Sequence, residues 1–239
     1  MLLAVKQYAL ESAISDIGPI IGERTSILPA LNGLRHLERL SAAFGGSHVL
    51  GGVCIAALTL DEHERIIQLN DVQELSYGEL DEKRSERIEA IDRAMQGAGF
   101  TARLSPNIEL EMWEKWVFIA AIGGITCLLR GTIGEIQHAP RGRDLSVAIF
   151  DECAAVATAC GYPPRAPARE RALSTLTDAD SKSASSMYRD LQKGSPVEAD
   201  AIIGDLCTRG DSAGVKLPLL SAAYAQLSIY GEERTGSTR

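Results

Sequence analysis

Aromatic residues make up only 5% of this 239-residue chain, and histidine (4) and cysteine (5) are scarcer still. The cysteines, Cys54, Cys127, Cys153, Cys160 and Cys207, are odd in number, scattered and set mostly among apolar neighbours. Without a CxxC pair or a Cys/His ligand spacing, neither a disulfide framework nor a zinc or other metal site is expected. Reduced thiols of a cytoplasmic protein are the reading that remains. Neither GxGxxG nor GxxxxGK(S/T) occurs, so no glycine-rich phosphate loop can be read from the chain. Positive charge is also in deficit: 24 Lys and Arg against 32 Asp and Glu leave −8, which speaks against a nucleic-acid partner. No basic segment precedes the first apolar residues, and Lys6 interrupts them, so the start is not a signal peptide. The longest apolar run, residues 116–129, is 14 long and contains Gly123 and Gly124, short for a membrane span and suited to a core helix.

What is present is an ordinary apolar content of 45% with 23% charge, enough for a sizeable core in one or two domains. The first hundred residues alternate strand and helix patterns. Residues 2–5 and 27–31 read as strands, the second closed by Asn32-Gly33, with helices over 8–21 and 34–44. Further strands are expected at 49–60 and 66–69, with a third at 75–78, and then an amphipathic helix from Leu80 through Ile88 and Ile91, stopped at Gly97 and Gly99. After Asn107 strand patterns vanish. Helices are expected over 109–130, from an Asp144 N-cap to Cys160, around 187–193, from Ser195 to Arg209, and over 219–230, with a frayed tail from Gly231. The chain thus reads as the later part of a βα domain (1–104) followed by an all-helical domain (105–239).

Several residues invite a chemical role, each with a structural alternative. Lys115 ends the polar start of an apolar helix, between Trp113 and Trp116, where partial desolvation would lower its pKa and make it a proton donor. The alternative is a surface lysine paired with Glu111 one turn back. Glu198 completes a capping box, Ser195-Pro196-Val197-Glu198, reason enough for a glutamate there. Asn32-Gly33 after a strand is a left-handed turn or an amide at the ligand-binding end of a sheet. Lys6 closes a strand, and Ser186 stands in the first turn of a helix.

The order and separation of four stretches carry more than any one residue: Leu2-Leu3-Ala4-Val5-Lys6, Leu31-Asn32-Gly33, Trp113-Glu114-Lys115-Trp116, and Ser185-Ser186-Met187 with Val197-Glu198-Ala199-Asp200. Together they resemble the ketopantoate reductase (2-dehydropantoate 2-reductase) family from its fourth Rossmann strand onward. The resemblance implies an α/β partial Rossmann domain and an all-α, 6-phosphogluconate dehydrogenase-like C-terminal domain that closes over the cleft. It implies an NADP-dependent oxidoreductase of pantothenate biosynthesis acting on a small 2-oxo acid, with no nucleic-acid or membrane partner; an all-helical C-terminal domain suits a homodimer. By position it implies Lys115 as general acid, Ser186 and Glu198 on the substrate side, and Lys6, Asn32 and Glu198 on the cofactor side. It also implies that about 60 residues with the pyrophosphate turn precede Met1 in the family, at about 30 per βαβ unit. A truncated chain of this kind could instead be a non-catalytic dimerisation or small-molecule-binding module, or another hydroxyacid dehydrogenase. Three asparagines of the family pattern read here as Ile119, Gly123 and Ile133, which implies a less polar substrate pocket.

Overall fold

A computed structural model describes residues 1–236 of the chain. These divide into two compact units, Met1–Met112 and Trp113 onward, the division falling one turn into a long helix. In unit 1, β1 (Leu2–Leu3) pairs in parallel with β2 (Leu28–Pro29), Leu2 opposite Leu28 and Leu3 opposite Pro29. Between them run a 3-10 turn (Gln7–Ala9) and the helix α1 (Leu10–Ile17). The helix α2 (Arg35–Phe44) follows β2 after Gly33, whose φ of 74° supplies the expected left-handed turn, and it stops at Gly45, φ 88°.

The strand β3 (Gly51–Leu60) and the strand β4 (Ile66–Gly78) form an antiparallel hairpin. The chain must pass close to β2 here: a Cβ on Gly52 would overlap the carbonyl of Pro29, so only glycine fits. At the hairpin tip Asp61 accepts from the backbone of His63 and Arg65 at 2.8 and 2.9 Å, an Asx-type turn that closes the loop. The strands expected separately at 66–69 and 75–78 are one strand: Asn70 and Asp71 do not end it but bulge, the register stepping from Leu58–Gln68 to Ala56–Gln73. The helix α3 (Glu86–Met95) is N-capped by Ser85, whose Oγ accepts from the Ile88 amide at 3.2 Å. A strand the sequence pattern did not reveal, β5 (Thr101–Leu104), then pairs in parallel with β4. Leu28, Leu50, Leu75, Tyr77 and Ile88 close the core beneath.

Unit 2 is helical. The helix α4 (Ile108–Leu129) has the length and apolar character of a membrane-crossing helix, but 67% of its most apolar stretch is buried within the protein, as a core helix requires. Two helices missed by periodicity follow the same logic of local caps. The helix α5 (Ile133–His138) opens on a capping box in which Thr132 and Glu135 satisfy each other's amides, and α7 (Ala166–Leu176) opens with Pro167 in its first turn. Between them α6 (Gly142–Ala159) starts two residues ahead of the expected Asp144 cap; Asp144 sits in its first turn, paired at 2.9 Å with the left-handed Arg141. The helix α8 (Ser186–Gln192) is followed by non-helical residues 195–198, so the Ser195 capping box does not form; the Ser195 carbonyl instead accepts from Tyr230 Oη at 2.8 Å. Helix resumes at Ala199 as a wide π segment (Asp200–Gly204) and continues as α9 (Asp205–Ser212). The last helix, α10 (Pro218–Thr235), runs well into the segment expected to fray; residues 237–239 lie outside the described chain.

Candidate active site

The parallel register of β1 and β2 has a consequence for their C-terminal ends. Lys6 stands three residues beyond Leu3, and Asn32 three beyond its partner Pro29, so the two emerge at the same edge of the sheet. Lys6 is exposed and caps the first 3-10 turn; Asn32 is half-buried just ahead of the Gly33 turn and α2. Carboxyl ends of parallel strands are where α/β sheets bind nucleotides. An ammonium and a carboxamide there suit the anionic and hydroxyl groups of a dinucleotide, so this edge fits such a cofactor.

In unit 2, α4 organises the rest. Trp116 is fully buried, and its Nε1 donates to the Ile202 carbonyl at 2.8 Å, tying α4 to the π segment. Glu198 lies one turn ahead of Ile202, whose amide donates to the Glu198 carbonyl at 3.0 Å. Its side chain is buried, with the residue only 8% exposed, although no capping box explains it. The π segment is held from its other side: Tyr224 donates to Asp200 at 2.7 Å, and its ring fills the place a Cβ of Gly204 would need. A single wide turn of this kind often marks a functional site because it re-aims the residues beside it.

Farther along α4, Thr126 and Ser185 share a hydrogen bond of 2.8 Å, and Ser185 N-caps α8 by accepting from the Tyr188 amide at 2.9 Å. That fixes the start of α8, with Ser186 exposed in its first turn and Met187 packed over Gly123, Cε lying 2.6 Å from where a Cβ would stand. Lys115 thus has, on its own helix, anchors toward Glu198 one residue on and toward Ser186 about two turns on. Lys115 is half-buried. The carboxylate of Glu111, one turn back, is held by Arg103 Nη1 and Nη2 at 3.0 and 2.6 Å and by Ser105 Oγ at 2.7 Å. Glu114 is likewise held by Arg165, through the backbone amide and two guanidinium nitrogens.

Of the three asparagine positions, Ile119 is half-buried on α4, Gly123 lies under Met187, and Ile133 is fully buried at the start of α5. The packing of Met187 over Gly123 and the π segment were not read from the sequence. The stretches Ser185-Ser186-Met187 and Val197-Glu198-Ala199-Asp200 marked the place, but a thioether contact and a helix widening carry no periodic pattern. One motif is disposed of by the fold. Gly210-Asp211-Ser212-Ala213-Gly214 has the spelling of a nucleophile elbow, but Ser212 ends α9 and its hydroxyl donates back to Thr208 at 2.9 Å, with no strand before it. Among the described residues no group of three His, Cys, Asp or Glu side chains is placed to hold a metal ion.

Comparison with known proteins agrees on one family. The family described as ketopantoate reductase PanE/ApbA matches residues 1–82, and its C-terminal counterpart matches residues 107–230. The chain is 33% identical over 234 residues to the oxidoreductase YkpB of Bacillus subtilis, covering 98% of this chain and 77% of that one. It is 29% identical over 213 residues to the 2-dehydropantoate 2-reductase of Archaeoglobus fulgidus, covering 89% and 70%. The crystal structure of 2-dehydropantoate 2-reductase from Geobacter metallireducens superposes with a TM-score of 0.85 at 26% identity, over 95% of this chain and 76% of that one.

Proposed function

This chain belongs to the ketopantoate reductase family of oxidoreductases, and from that premise we propose that it serves NADPH-dependent reduction of a 2-oxo acid to the 2-hydroxy acid. The observation that carries the reading is the convergence on α4: Lys115 stands on the helix that is tied to the Glu198 segment through Trp116 and to the Ser186 helix through Thr126 and Gly123. The bound nicotinamide supplies the hydride. Lys6 and Asn32 would hold polar groups of the cofactor from the sheet edge, and Glu198 would bind where cofactor and substrate meet. Ser186 offers a hydroxyl to the substrate.

The role of Lys115 follows from the charge that develops. Reduction of a ketone builds negative charge on its oxygen, and an ammonium beside that oxygen stabilises the charge and then donates the proton from Nζ. The half-buried setting strengthens this effect, since water screens it less. Lys115→Met keeps the length and loses the proton. Turnover, followed by NADPH consumption over a panel of 2-oxo acids, should fall about 10²–10⁴-fold, while NADPH affinity, followed by titration of the protein fluorescence, should stay near wild type. Unchanged turnover in Lys115→Met would remove it from the chemistry. Failure of the folded wild-type chain to bind NADPH at all would remove the reductase reading for this polypeptide.

A further inference from the structure

The face of α4 that carries Lys115 changes character immediately beyond it. Residues advance about 100° around a helix, so Ile119 and Ile122 lie within about 40° of Lys115 and Phe118 within about 60°. Of these, Phe118 and Ile119 are half-buried, where the helix opens, whereas Ile122, like Trp116, Val117, Ala120 and Ala121, is buried. All three side chains are hydrocarbon. On the flank beyond them the methyl of Met187 occupies the place above Gly123, so a polar side chain cannot stand there without displacing it.

Taking Lys115 as the group under the substrate ketone, which is the reading proposed above, the geometry points to a 2-oxo acid whose carbons beyond the ketone bear only hydrocarbon, with Ile119 as the residue that sets this preference. A hydroxyl lying beside Phe118, Ile119 and Ile122 would leave water and find no polar partner among those side chains, a loss that burial makes costly. The next hydroxyl on this face, Thr126, is about three turns from Lys115 and already bonded to the Ile122 carbonyl and Ser185. Apolar walls discriminate modestly: an added hydroxyl is rejected by about a hundredfold at most.

The test uses trimethylpyruvate and the same acid carrying one hydroxyl on a methyl group, with the 239-residue chain as it stands. Each acid is measured twice, by NADPH-consuming turnover and by ligand-observed NMR binding without turnover. The plain acid should be preferred by about ten- to hundredfold in kcat/KM, with a Kd ratio in the same direction. Ile119→Asn should move that ratio about tenfold toward the hydroxylated acid, and Ile119→Val should leave it in place. Preference for the hydroxylated acid by the wild-type chain, or an unmoved ratio in an Ile119→Asn protein of unchanged helicity, overturns the proposal and leaves the reductase reading intact. Absence of binding and turnover for both acids overturns the reductase reading as well. Should Ile119→Asn not fold, the wild-type ratio alone decides.

Discussion

The two units treat their most apolar segments in opposite ways. In unit 2, α4 turns Trp116, Ala120, Ile125 and Cys127 inward with 2% exposure or less, and neighbouring helices reach within van der Waals range of its glycines. In unit 1, the outer half of the β3–β4 hairpin leaves Ile55, Leu58, Leu60, Ile66 and Leu69 between 44% and 72% exposed. Both segments are equally legible as apolar in the sequence. The difference is that a helix with small residues on its flanks lets other helices approach closely, whereas the outer half of the hairpin extends past the end of β5 and stays exposed. Apolar composition therefore specifies an element more firmly than it specifies burial.

The largest effect expected from breaking this contrast lies in unit 2. A Cβ on Gly142 would overlap the carbonyl of Ile136, so Gly142→Ala should prevent α5 and α6 from meeting, and unit 2 should lose its cooperative thermal transition by calorimetry. Next comes a matched pair within unit 1. Leu50→Ala, in the fully buried core cluster, should cost about 2–5 kcal/mol in denaturant unfolding. Leu58→Ala, 48% exposed on the hairpin, should stay within about 0.5 kcal/mol. Equal losses at the two sites would mean that the outer hairpin is covered after all.

The smallest effect is electrostatic. Arg87 Nε donates to Glu79 at 2.7 Å, and Ser85 also donates to that carboxylate; the guanidinium bond first, and then Ser85, hold the Glu79 pKa below its usual value against the opposing effect of burial. A carboxylate depressed in the folded state contributes stability that is complete above its unfolded pKa and is lost as pH falls through its folded pKa. Unit 1 should therefore weaken below about pH 4.5, the ordinary value for glutamate. Glu79→Gln should flatten that part of a pH series of unfolding midpoints, and an unchanged slope would assign the acid sensitivity elsewhere.

Much of the fold was readable from local pattern. The helix over 34–44, the Gly33 and Gly45 turns, and the long apolar helix follow from spacing and glycine placement, because those depend on neighbours along the chain. What was not readable had a specific cause in each case. Short β5 exists only because β4 offers it an edge. The Ser195 capping box is well formed as a string, yet a bond from Tyr230 holds the Ser195 carbonyl and the helix begins later. Glu198 is buried just ahead of that later start rather than in the first turn of the expected helix, a distinction that periodicity could not draw.

The amino-acid sequence by itself determined the family pattern, the order of sheet and helices, and the identities of Lys6, Asn32, Lys115, Ser186 and Glu198 as the residues to watch. Tertiary structure alone decided that Lys6 and Asn32 share a sheet edge, that Met187 closes over Gly123, and that a π turn pinned by Trp116 and Tyr224 follows a buried Glu198. The division is physical: periodicity and turn chemistry act over a few residues, whereas strand register, close approach at glycines and side chain-to-carbonyl bonds join positions as far apart as Trp116 and Ile202.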